Sequence, residues 1–167
     1  MTAGVFFVTE NADMLKVTEP QRPAIANAEP PSIGSEPELA VFVLFTSIDW
    51  TLKALEQARE IAQALGTEIE VVVVQAVPFP LPLDTPLVPM EHIVRHLVKK
   101  IAGLPYQSKT EVSLYLCRDP IVALKRILNP ICPVVICGRE RWWPTRSQRL
   151  ARKLRRKGYD VVFVKME

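Results

Sequence analysis

Histidine is nearly absent from this chain, with two in 167 residues, His92 and His96. They are spaced i,i+4 and could share one metal ion. However, Ile93 stands where a His-Glu-x-x-His site needs its glutamate, and no cysteine lies near enough in sequence to be a third ligand. The expectation is a solvated helix face and no metal. Cysteine is scarce as well. Cys117, Cys132 and Cys137 are an odd number without Cys-x-x-Cys spacing. Each sits in or beside an apolar segment, so three buried free thiols are expected, as suits a reducing cytosol and a cytoplasmic protein. Cys137 stands beside basic residues but reads as a structural thiol in a strand core. Ser47, Ser113 and Ser147 lack the Gly-x-Ser-x-Gly elbow of a hydrolase nucleophile. No acid/base pair is assembled either, so the chain is not expected to be an enzyme. No apolar run approaches the roughly 20 residues that span a bilayer. The first residues lack a basic segment followed by a long apolar stretch, so neither a secretory signal nor membrane insertion is expected.

Acids are missing where bases crowd. Residues 139–157 hold nine bases and one acid, Glu140, a local charge of +8 in a chain of net +3. The rest of the chain is therefore at −5. Arg149, Arg152, Lys153, Arg155, Arg156 and Lys157 follow one another with no intervening acid, although ordinary surface helices mix signs. An acidic protein partner at the basic helix 145–157 is the expectation. Nonspecific nucleic-acid binding is the less favoured alternative, with affinity falling steeply with salt as its signature. Trp142 and Trp143, followed by Pro144, are expected to plug a crevice rather than stack on a base.

The chain divides near residue 38. Within 1–38, Pro20, Pro23, Pro30, Pro31 and Pro37 are interleaved with polar residues. Proline removes amide donors, and too little apolar surface is present to offset ordering entropy. A flexible arm is expected, the alternative being that Val5–Val8 docks on a sheet edge of this or another subunit. From Leu39 onward the pattern is regular. Ala40–Phe45 is a continuous apolar strand, and Leu52, Leu55, Ala58, Ile61, Ala62 and Leu65 follow at helical spacing to a stop at Gly66. Ile69–Val74 is the second buried strand. After a proline-rich connection, Ile93, Val94, Leu97, Val98 and Ile101 form the stripe of the second helix.

In the third strand, Val112, Leu114 and Leu116 alternate with Glu111, Ser113 and Tyr115, which predicts an edge or a less covered face. Asp119-Pro120 opens the third helix, whose buried face is Ile121, Leu124, Ile127 and Leu128. Val134–Cys137 is the fourth strand. Thr145–Gln148 fits a capping box for the fourth helix, Gly158 closes it, and Val161–Val164 is the fifth strand. This alternation argues for an α/β fold, a doubly wound parallel sheet with helices on both faces.

The region from Leu39 to Lys165 resembles a universal stress protein domain, an adenine-nucleotide alpha-hydrolase-like fold. The resemblance rests on Phe45–Asp49 after the first strand, Ala54-Leu55-Glu56-Gln57-Ala58 on the first helix, Arg118-Asp119-Pro120, Val134–Gly138 and the closing strand. It implies a Rossmann-like five-stranded sheet in order 3-2-1-4-5, and a homodimer paired through the last strand. Nucleotide-binding members carry Gly-x-x-Gly, nine residues, then Gly-Ser or Gly-Thr. Here only Gly138 remains, with Arg141 at its partner position. Ungapped counting puts Ala151-Arg152 at the Gly-Ser site, whereas counting back from the last strand puts Ser147-Gln148 there. Thr46 stands where ATP-binding relatives have an aspartate contacting adenine, and Asp49 reads as a helix N-cap.

The implied function is a non-catalytic module in stress response or an adaptor, without ATP binding of the glycine-loop type. The alternative is a sensor of a nucleotide or other phosphate ligand gripped by Arg139, Arg141 and Arg146. Candidate binding residues are then Thr46, Ser47, Asp49, Gly138, Arg139, Arg141, Arg146 and Ser147.

Overall fold

The computed structural model describes residues 7–11, 14–18, 39–83, 88–105, 109–141 and 144–166. In chain order the elements are β1 (Phe7–Asn11), β2 (Met14–Thr18), β3 (Ala40–Leu44), α1 (Ile48–Leu65), β4 (Glu68–Ala76), α2 (Val88–Ala102), β5 (Thr110–Cys117), α3 (Pro120–Ile127), β6 (Val134–Arg139), α4 (Arg146–Arg156) and β7 (Val161–Met166). Five strands are parallel and lie in the order β5-β4-β3-β6-β7. Counted from the first of them, this is the expected order 3-2-1-4-5.

The central strand β3 explains why its residues are continuously apolar. Val41 and Val43 point to the face covered by α1 and α2, where they meet Ala54, Leu55 and Leu97. Phe42 and Leu44 point to the face covered by α3 and α4, where they meet Leu124, Ala151 and Leu154. A strand covered on both sides has no polar face. Each aliphatic side chain removed from water in this way contributes about 1.5–3 kcal/mol.

The helix ends are fixed by local chemistry. Gly66 takes the left-handed conformation, φ 64°, that closes α1. The Asp119 side chain accepts from the amides of Ile121 and Val122 and caps α3, with Pro120 first in the helix. Thr145 and Gln148 form a reciprocal capping box at the start of α4.

The structure departs from the sequence reading in three places. Part of the segment expected as a proline-rich arm is regular. β1 and β2 pair antiparallel, and β2 pairs antiparallel with β5, from Met14 opposite Cys117 to Thr18 opposite Ser113. A sheet edge of the same chain is therefore occupied, by a strand pair that starts at Phe7 rather than by Val5–Val8. Residues 19–38, which hold the prolines, lie outside the described residues.

The second departure concerns the strand beside this pair. Ser113 and Tyr115 are buried, at 0% and 6% exposure, although the alternation predicted a less covered face. The strand ends the parallel set but not the sheet. Third, β6 continues through Gly138 to Arg139, in register with Lys165 and Met166 of β7, instead of ending at Cys137.

Candidate functional site

In an open α/β sheet, ligands bind beyond the carboxyl ends of the strands, where the chain reverses its direction of winding. Here that point lies between β3 and β6. From β3 the chain moves outward to β4 and β5, then returns to β6 on the other side. The candidate residues come from the carboxyl end of β6 and from the segments that follow these two strands.

Thr46 follows β3. Its hydroxyl donates to the Cys137 carbonyl at 3.2 Å, and its amide donates to the Thr51 hydroxyl at 3.4 Å. Thr46 therefore ties the end of β3 to the end of β6. Ser47 is the N-cap of α1, with φ −154° and ψ 167°, and its side chain accepts from the Trp50 amide. The expected cap, Asp49, is instead an exposed residue of the first helical turn. Both residue types cap well, but the extended backbone at Ser47 starts the helix earlier. The Asp49 charge still favours the helix from that position, where the backbone dipole is positive.

Gly138 is buried within β6. A Cβ placed on it would lie 2.8 Å from Ser147 Cβ, 3.1 Å from Ser147 Oγ and 3.1 Å from Phe163 Cζ. The glycine is thus required by the approach of α4 to the strand. Ser147 is itself 8% exposed. Of the two positions weighed for the Gly-Ser pair, Ser147-Gln148 stands at the start of α4, and Ala151-Arg152 lies in mid-helix.

Residues 140–145 form the segment between β6 and α4. Within it the Thr145 hydroxyl donates to the Arg139 carbonyl at 3.4 Å, and the Thr145 amide donates to Gln148 Oε1 at 2.9 Å. The Gln148 amide donates to Thr145 Oγ1. Glu140 pairs with Lys165 at 2.6 Å. Trp142 and Trp143, expected to plug this crevice, lie outside the described residues.

Arg139, Arg141 and Arg146 are all exposed. Arg146 opens a separate groove of about 490 Å³ that runs between the start of α3 and α4. Arg149, Arg152, Lys153 and Arg156 line it with Arg146, and Ile121 and Leu150 complete it. The sequence pattern places Ile121 on the buried face of its helix, yet Ile121, like Leu150 of α4, is only half-buried. The apolar period reports a helix's inward direction, but not how far a neighbouring helix covers the edge of the stripe. A second cavity, of about 300 Å³, is lined by Leu39, Gly66, Glu68, Glu70 and Glu111. It opens at the amino ends of the strands, away from the switch point. Glu68 pairs there with Lys109, and Glu70 accepts from the Tyr115 hydroxyl at 3.0 Å.

All three cysteines are free and buried. Burial pushes the Cys137 thiol up, opposed by the Gly138 amide and the Lys53 charge, so the neighbouring bases do not activate it. Burial, with the Asp119 carboxylate, pushes Cys117 up to about 11. His92 and His96 are both exposed on α2. Among the described residues, no helix is long and apolar enough to cross a membrane.

Five parallel strands in this order, with helices on both faces and a switch point between β3 and β6, define a doubly wound, Rossmann-like α/β protein. More narrowly, the fold is that of the universal stress proteins. The universal stress protein from Archaeoglobus fulgidus superposes with a TM-score of 0.55 at 16% identity, over 76% of this chain and 93% of that one. A universal stress protein solved in complex with cAMP superposes with a TM-score of 0.50 at 20% identity, over 79% of this chain and all of that one. The sequence matches no protein-family model and no curated protein sequence.

Proposed function

We propose that this chain is a non-catalytic, universal-stress-protein-like module that does not hold ATP in a glycine loop and acts, as a homodimer, in stress response or as an adaptor. One observation carries this reading: the buried contact of Ser147 with Gly138. A glycine loop works by leaving backbone bare, so that amides can approach phosphates. Here that glycine is a strand residue packed beneath a helix. The Thr145 and Gln148 amides, which could have faced an anion, are already given to side chains.

Dimerisation fits the edge of the sheet. Among the described residues β7 has one strand neighbour, β6, and its Val162, Phe163 and Val164 are only half-buried. A half-covered apolar edge strand is stabilised by a second copy.

Calorimetric titration with ATP, AMP and cAMP tests the nucleotide half of the reading; cAMP is included because one structural neighbour binds it. No binding at millimolar ligand is expected. Binding lost in both Arg139→Ala and Arg141→Ala would replace this reading with that of a phosphate sensor.

A further inference from the structure

The groove between α3 and α4 has chemistry that a surface helix does not need. α4 has 11 residues, so its cations are spread along roughly 16 Å at 1.5 Å per residue. Arg146, Arg149, Lys153 and Arg156 recur at spacings of three, four and three, which places them in one stripe nearly parallel to the helix axis. Arg152 flanks them. Among the described residues, no carboxylate pairs with any of the five. The acid beside Ile121 on α3, Asp119, already accepts two amides of its own helix, at 2.8 and 3.2 Å.

Two features of this stripe run against stability. Like charges three and four residues apart repel. The first turn of α4 carries Arg146 and no acid, opposite to what the helix dipole favours. An anion in the groove relieves both.

The lining also says which kind of anion. Ile121 and Leu150 are half-buried aliphatic side chains, and among the described residues no aromatic ring lines the groove. A polynucleotide tracked by cations gains much of its affinity by stacking bases on rings. A peptide that carries acids beside an aliphatic side chain satisfies both parts of this surface, its charges on the stripe and its apolar group between the two helices.

We propose that this groove docks an acidic, aliphatic-anchored segment of a partner protein, with Ile121 and Leu150 receiving the anchor. The proposal rests on the adaptor reading and gives that adaptor its contact surface.

The test uses the full chain and a fluorescently labelled short peptide alternating glutamate and leucine. The comparison ligands are polyglutamate of equal charge and an oligothymidylate of equal length, all at physiological salt. The glutamate–leucine peptide should bind about tenfold tighter than either. Arg149→Glu with Lys153→Glu should weaken it by about tenfold or more. Lys99→Glu with Lys100→Glu, an equal charge change on exposed residues of α2, should leave it within about twofold. Circular dichroism verifies that both variants fold.

Equal weakening by the two double variants would reduce the effect to net charge and overturn the proposal. So would tighter binding of the oligonucleotide. Self-association abolished by Arg149→Glu with Lys153→Glu, without peptide binding, would assign the groove to a second copy and also overturn it. ATP binding with peptide binding intact would overturn only the nucleotide reading above. Absence of both would overturn only the docking surface.

Discussion

Ser147 sits so close to Gly138 that a methyl group on the glycine would lie 2.8 Å from the serine Cβ. The contact joins the first turn of α4 to β6 at the place where this fold opens its crevice. It gives a structural reason for the glycine that the loop motif could not supply. Gly138→Ala should therefore destabilise the protein by roughly 1–3 kcal/mol, the usual range for overpacking. Chemical denaturation of Gly138→Ala, Ser147→Gly and the double variant separates packing from other causes. The double variant should lose less than the sum of the single variants, because Ser147→Gly removes the colliding atom. Strict additivity would show that the two residues are not coupled.

Thr46 acts at the same junction from the other strand. Its hydroxyl satisfies the carbonyl of Cys137, 91 residues away in sequence. Thr46→Val keeps the shape and removes the donor. The expected loss is about 1 kcal/mol in urea unfolding, the net worth of one such bond. An unchanged midpoint would show that water replaces the hydroxyl at no cost.

The fold was legible where burial is two-sided. Val41 to Leu44 are apolar at every position because helices cover both faces, and that pattern is local. Asp119-Pro120 and Thr145–Gln148 were legible for the same reason, since a cap is written within four residues.

What failed was long-range. Ser113 and Tyr115 alternate with aliphatic neighbours, yet they are buried beside a strand contributed from almost a hundred residues upstream. That strand pair was hidden by the prolines that follow it, although Asn11-Ala12-Asp13 between two apolar segments is a turn signal. At α1, Ser47 and Asp49 are both good caps, and only backbone geometry decides between them. The excess charge of α4 was plain, but the groove was not, because Ile121 comes from another helix.

The alkaline limit of stability follows from the buried acids. Cys117 rises from 9.0 to about 11 through burial and the nearby Asp119 carboxylate. Burial and Glu70 push the Tyr115 hydroxyl up as well. A raised folded pKa means that the native state holds its proton longer than the unfolded chain does. The stabilising contribution of Cys117 is thus fully present below its ordinary value and is lost as pH rises through about 11. Midpoints of urea unfolding should fall between these two values and fall further as Tyr115 ionises. Cys117→Ala should flatten the first part of that decline. An identical pH profile in the variant would assign the decline to other groups.

The nucleotide half of the proposed function depends on Ser147 packing against Gly138 beyond Cys137. The most direct measurement follows the amide resonances of Gly138, Arg139 and Ser147 by nitrogen–proton correlation spectroscopy while ATP is added to millimolar concentration. That packing predicts that these three amides stay in place, apart from the uniform drift caused by salt. Saturable shifts of Gly138 and Ser147 with a common dissociation constant would show ATP seated against the main chain there, and would contradict it.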